Sequence, residues 1–182
     1  MATRVPSAAL RGPFRRLAAK LKVVEFNPRR YDAGTKGGLA PNQYYRAGKT
    51  GPGKPKYEYV TDDKGRIRGA YAENLQLKPA GQKRGSHNSK SKGKLPGDDA
   101  GHLFADQFDG SGGLDNIVSQ ARDLNQGAWK NMEEGWADAL RNGKTVEVFT
   151  EVHYVEDAAR PSGFTVKTVI DGVPQPPTKF AN

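Results

Sequence analysis

The chain has no cysteine in 182 residues, which excludes disulfides and thiolate metal sites and leaves the redox compartment open. It has no apolar run near the ~18 residues that a bilayer-spanning helix needs. Acidic residues are also short: 20 against 29 Lys and Arg leave a formal charge of +9. A balance this basic favours a polyanionic partner, nucleic acid before a membrane surface. A secretory leader is excluded at the start, because Arg and Lys interrupt any apolar core there. A glycine-rich phosphate loop is missing too. "AGKTGPGK" at 47–54 imitates one, but Gln43 stands where the first glycine belongs, and no buried strand is expected before it.

What is present reads as one domain with an appended N-terminal segment. Residues 1–45 are taken as a basic extension or linker and 46–182 as the folded domain. Within the extension, "AALRGPFRRLAAKLKVV" (8–24) suits a basic amphipathic helix, either a linker from a longer chain or, less in keeping with the rest, an organellar presequence. Residues 27–56, rich in Gly, Pro, Lys, Asn and Tyr, read as loop. Asp62-Asp63-Lys64-Gly65 marks the turn of a hairpin between Tyr57–Val60 and the alternating Ile67, Gly69 and Tyr71. A polar basic loop follows, "GQKRGSHNSKSKGKLPGDD". "GAWKNMEEGWADALRNGK" is the clearest helix. With Trp129 at zero, Met132, Trp136 and Leu140 fall at about 300°, 340° and 20°, a single apolar stripe. Gly143 is placed to end it. "TVEVFTEVHYV" alternates as a half-buried strand, and "GFTVKTVIDG" adds another with Phe164, Val166 and Ile170 on one face. Strands, basic loop, helix, strands make an α+β fold, an antiparallel sheet carrying a helix on one face.

Candidate chemistry gathers in Gly97–Leu140. His102, between Gly101 and Leu103, is the one histidine of that stretch and suits a general base near neutral pH. His87, in the basic loop, and His153, on the polar side of a strand, read as surface residues. On the helical wheel Glu133 lies at about 40°, against the buried stripe, and Glu134 at about 140°, towards solvent. If the helix reaches back to Asn125, that residue shares the side of Glu133. Eight helical residues rise about 12 Å, so both cannot ligate one ion directly. An Asn carbonyl with several waters suits Mg²⁺. The plainer reading makes Asn125 an N-cap and Glu133 a boundary residue.

"DDAGHLFADQFDGSGG", "DNIVSQ" and "LNQGAWKNMEE" together resemble the DNA/RNA non-specific endonucleases, the His-Me finger or ββα-metal nucleases. The branch most similar is that of toxin domains in bacterial secreted effectors, an impression shared by "RP.GF.V…IDG" at 160–172. The resemblance runs from about Tyr57 to the end. It places the family's D-R-G-H core on Asp99-Ala100-Gly101-His102, its N-L-V-P-Q segment on Asn116–Gln120, its metal-binding Asn on Asn125 and its Glu on Glu133. It implies a single Mg²⁺, replaceable by Mn²⁺, held by Asn125, with Glu133 on the ion's waters and His102 as base. Asn116 would orient the His turn or the metal shell, or simply pin the loop backbone. Arg84 or Arg68 would meet the scissile phosphate, and Lys83, Arg84, Lys90, Lys92 and Lys94 would line the nucleic-acid backbone path. Ala100 departs from the family's Arg and removes whatever contact that side chain makes. The implied activity is sequence-non-specific cleavage of DNA, leaving 5′-phosphate ends, by a translocated effector acting in a target cell's cytoplasm and neutralised by an acidic immunity protein. A ribonuclease of the same fold and a non-catalytic nucleic-acid-binding module are the alternatives.

Overall fold

A computed structural model of the chain describes residues 8–25 and 38–182. The fold is α+β. Its large sheet runs in the order β1 (Val23–Glu25), β2 (Tyr44–Ala47), β3 (Tyr57–Thr61), β4 (Ile67–Ala72), β7 (Val146–His153), β8 (Gly163–Ile170) and β10 (Thr178–Ala181). All neighbours on that path are antiparallel except β1 and β2; the short β9 (Val173–Pro174) pairs with β8. A separate two-stranded ribbon, β5 (Asp98–His102) with β6 (Ile117–Ala121), leads directly into α2 (Arg122–Gln126) and α3 (Ala128–Arg141). That ββα unit lies against one face of the sheet.

The hairpin forms where its turn residues imply. Asp62 accepts from the backbone N–H of Lys64 and Arg66, and Gly65 takes a φ of +72°. The end of α3 is likewise set by glycine: Gly143 adopts a φ of +73°, and the Gly143 and Lys144 N–H groups return to Leu140 and Ala139.

Three local expectations change. Of the loop expected at 27–56, residues 27–37 lie outside the described residues, and the remainder contains β2. Only four residues long, β2 is too short to show a period, yet it buries Tyr44 on one face and Tyr45 on the other. It therefore precedes "AGKTGPGK" after all. Lys49 and Lys54 of that stretch are engaged, however, with Asp106 and Asp109. Second, β7 is not half-buried: Glu147 and Phe149, on the face opposite the valines, are covered as fully as the valines. The cause is α1 (Arg11–Leu17), which lays Phe14 against Tyr44, Tyr71 and Phe149 on the outer face. Glu147 beneath it accepts from the Leu10 N–H and the Tyr71 hydroxyl, at 2.8 Å each. Third, the helix does not continue back to Asn125. Gly127 breaks it, with φ −107° and ψ −105°, and a Cβ there would lie 2.5 Å from the Asp123 carbonyl oxygen.

The inner face is unusually rich in tyrosine, and its hydroxyls do specific work. Tyr45 donates to the Asp115 carbonyl at 2.8 Å, Tyr57 to the Phe108 carbonyl at 2.6 Å and Tyr59 to Asn116 Oδ1 at 2.8 Å. All three partners belong to the 103–116 connection between β5 and β6. The sheet thus holds that connection at two carbonyls and the Asn116 side chain, and fixes where β5 ends.

Candidate nuclease active site

β5 delivers His102 at its last position. Gly101 before it has no room for a side chain, since a Cβ would sit 2.2 Å from Gln120 Oε1 on the paired strand. At the other end of β5, both carboxylate oxygens of Asp98 accept from Arg160, from Nε at 2.7 Å and Nη2 at 2.9 Å. Arg160 also donates to the Asn182 carbonyl, and the Asn182 side chain bonds Ser119, Ala121 and Pro161. The "RP.GF" segment is therefore a strut for the ribbon.

After His102 the chain turns inward through the buried Leu103 and Phe104. Asn116 secures this turn. Its Oδ1 accepts from Tyr59 and from the Phe104 N–H at 3.0 Å, and its Nδ2 donates to the carbonyls of Phe104 and Ser111 at 2.7 and 2.8 Å. Asn116 is fully buried and does not line the cleft described below. Of its alternative roles, the geometry supports pinning the loop and so positioning His102.

His102 is half-buried at the edge of a cleft of about 860 Å³. Burial, followed by the neighbouring His87 and Arg84, pushes its pKa down to about 4. The ring is therefore neutral near pH 7, and no protein group among the described residues hydrogen-bonds it. Nearby, the 3-10 turn Asp106–Phe108 places the Asp106 carboxylate in the cleft wall. Asp106 accepts from Lys49 at 2.5 Å, from Lys78 and from the Gly85 N–H at 3.0 Å. Burial would raise its pKa, but the two ammonium groups and the amide hold it well below the usual carboxylate range. The amide contact ties the basic loop to the cleft at Gly85.

Across from His102, α2 presents Asn125. Three α2 side chains converge on Asp99: Gln126 Nε2 at 2.8 Å, Asn125 Nδ2 at 3.1 Å and Arg122 Nε at 3.2 Å. Burial pushes Asp99 up, and these three bonds outweigh it, so the net direction is down. Because the amide nitrogen of Asn125 is taken, its Oδ1 remains for a ligand. Glu133, on the first turns of α3, is 7% exposed and, among the described residues, accepts only from Trp129 Nε1, at 3.2 Å. Burial pushes it up to about 8, against the pull of that indole and with a push from Glu134. A carboxylate so poor in donors gains from a cation or its waters. The donor set thus fits a hard dication: an amide oxygen, a carboxylate and room for water. Among the described residues no group of three His, Cys, Asp or Glu could hold an ion, so such an ion would keep several waters.

Of the residues anticipated from sequence, the fold brings His102, Asn125, Glu133, Arg84 and Lys94 into one cleft. Arg68, the other candidate for the phosphate, is exposed on β4 and does not line it. Lys83 and Lys90 are exposed on the basic loop without lining it, and Lys92 lines a second hollow of about 180 Å³ with Ile117 and Tyr154. Several lining residues were not anticipated: His87, Lys78, Asp106, Arg122 and Lys130. His87 is the least expected, its ring centroid 5.5 Å from that of His102. Nothing in the spacing of the basic loop signals that it folds over the His turn. The i, i+3, i+4 spacing of Arg122, Asn125 and Gln126 would have exposed their shared face.

The family model of the DNA/RNA non-specific endonucleases matches residues 41–172. Two relatives are the type VII secretion system protein EssD of Staphylococcus aureus strains USA300 and NCTC 8325, each 41% identical over 123 residues. The match covers 63% of this chain but only 20% of either relative, so the chain spans a fifth of their length. With most of its length matched, and with the ribbon, the histidine and the helical asparagine meeting in one basic cleft, the chain belongs to the DNA/RNA non-specific endonuclease family.

Proposed function

We propose that the chain is a divalent-metal-dependent endonuclease that hydrolyses DNA phosphodiester bonds without reading sequence. It would serve as the toxin domain of a secreted effector and act in the cytoplasm of a target cell. The observation that carries the reading is the pairing, across one cation-lined cleft, of a neutral His102 with an Asn125 whose amide oxygen is left available. Every cleft-lining residue falls within 46–182, the part read as the catalytic domain, with 1–45 as its extension.

The residues divide the chemistry between them. Arg84 and Lys94, with Lys130, draw the phosphate backbone into the cleft. Contacts of this kind give affinity without base readout. Neutral His102 accepts a proton from the water that attacks phosphorus, opposite the departing O3′, leaving a 5′-phosphate and a 3′-hydroxyl. Asn125 Oδ1 would hold one Mg²⁺, or Mn²⁺ in its place, and Glu133 would hold the ion's waters. When bound, that ion supplies positive charge for the phosphate and the leaving oxygen. Arg84, exposed and lining the cleft with His102, would meet the scissile phosphate.

The secretion role rests on the likeness to EssD, a type VII secretion system protein. A nuclease toxin requires protection of the producing cell. The net charge of +9 makes an acidic immunity protein the fitting partner. Among the described residues no helix is long and apolar enough to cross a membrane.

Supercoiled plasmid and single-stranded RNA, each with Mg²⁺, Mn²⁺ or EDTA, test the proposal. Plasmid should pass through nicked to linear and short fragments with either ion and stay intact in EDTA, and the new ends should accept ligation only as 5′-phosphates. Faster loss of RNA than of DNA would assign the ribonuclease alternative. Binding without cleavage of either substrate would leave only a binding module.

A further inference from the structure

His87 and His102 come from separate segments, the basic loop and the end of β5. Their ring centroids nonetheless lie 5.5 Å apart, with the planes inclined at 59°. No protein group among the described residues hydrogen-bonds either ring. Both line the same cleft, open to small solutes. A zinc–imidazole bond of 2.0–2.1 Å puts the ion about 3.2 Å from the ring centroid, so two imidazoles at a tetrahedral angle have centroids about 5.2 Å apart. The observed 5.5 Å is within a side-chain adjustment of that spacing.

We propose that His87 and His102 form a two-imidazole site for a borderline dication, Zn²⁺ foremost, separate in its donor set from the hard-ion position at Asn125 and Glu133. Imidazole suits Zn²⁺, Cu²⁺ and Ni²⁺, whereas amide and carboxylate oxygens with water suit Mg²⁺ and Mn²⁺, so the two positions sort ions by softness. Ligation needs neutral imidazole, and the buried setting of His102 keeps that ring unprotonated. The carboxylate that acts on His102 through its charge, Asp106, is committed to Lys49, Lys78 and the Gly85 N–H. The protein ligands therefore stop at two and water completes the shell, which makes for reversible rather than structural binding. Zinc held there occupies the lone pair with which His102 would accept a proton, and cleavage stops. This last step rests on the nuclease reading; the binding itself does not.

Calorimetric titration of Zn²⁺ into the metal-free full chain tests the site directly, with folding of each variant checked by circular dichroism. Wild type should bind one Zn²⁺. Loss of even an outer partner of a metal ligand costs about 10–100-fold in affinity, so His87→Ala and His102→Ala should each weaken binding at least tenfold. Asn125→Ala should bind as wild type does. In parallel, plasmid cleavage in excess Mg²⁺ is titrated with Zn²⁺, each protein against its own zinc-free rate. Wild type should be inhibited, and His87→Ala should need at least ten times more zinc. Unchanged zinc affinity in His87→Ala overturns the site, as does loss of zinc binding in Asn125→Ala alone. If Mg²⁺ supports no cleavage, the nuclease reading fails while calorimetry still decides the zinc site.

Discussion

His102 opens on the cleft, whereas Asn116 is sealed beneath the same turn, and the two should fail differently. His102→Ala removes a ring that no described residue hydrogen-bonds. Cleavage should fall about 10²–10⁴-fold, with little change in melting temperature. Asn116→Ala strands four partners, three of them buried and two on Phe104, and should cost on the order of 3–5 kcal/mol of stability. Its loss of activity should track unfolding and be regained in part at lower temperature. The pH dependences follow from two depressed or raised groups. With His102 pushed down to about 4, the rate should be level from neutrality down to about pH 5 and fall as the ring protonates near 4. Glu133 moves the other way, up to about 8. A raised group contributes stability that is present below its unfolded value and is lost as pH rises through the folded one. His102, with its depressed value, changes stability only below about 6.5. Between pH 6.5 and 8, in EDTA, wild-type stability should therefore decline, and Glu133→Gln should flatten that decline. Parallel slopes for the two proteins would contradict the assignment to Glu133.

At the scale of elements, the break at Gly127 turns α2 so that Asn125 and Gln126 meet Asp99. Gly127→Ala brings a Cβ to 2.5 Å from the Asp123 carbonyl, which must move. Activity should suffer more than stability, because α2 holds Asn125 while contributing no fully buried side chain of its own. Helix α1 predicts the converse. Phe14→Ala should destabilise by about 3–5 kcal/mol, measured by chemical denaturation, with the specific activity of the folded fraction unchanged. Its ring packs on the outer face of the sheet, opposite the ββα unit. These elements also show what the sequence makes legible. The stripe of α3 was readable from Trp129, Trp136 and the burial of Glu133, since a helical period repeats over many residues. Gly143 and Gly65 were readable because a positive φ selects glycine. Strand β2 was not, at four residues, and neither was the covering of β7, which depends on a helix distant in sequence. In the candidate site, Asn125 and His102 were picked out by the resemblance of their segments to the family's motifs. Asp99, Asp106 and His87 owe their places to tertiary contacts between loops, and no periodicity encodes those.

At the scale of the whole molecule, the positive charge is distributed with purpose. Lys49, Lys54 and Lys78 are bound to Asp106 and Asp109 and stiffen the cleft wall, whereas Arg84, Lys94 and Lys130 line it beside solvent. Charge reversal should accordingly be graded: Lys94→Glu should weaken DNA binding most, Lys90→Glu less and Lys92→Glu least, since Lys92 sits at the other hollow. Binding of a short duplex should weaken steeply with salt, as phosphate contacts require. If an acidic inhibitor covers the same face, its association should slow with salt and follow the same order of lysines. All of this presumes that the cleft between the end of β5 and α2 performs the hydrolysis. The most direct check is plasmid cleavage in Mg²⁺ by folded His102→Ala beside wild type, with DNA affinity measured for both. The account predicts affinity retained and cleavage reduced at least a hundredfold. Equal cleavage by the variant would contradict it.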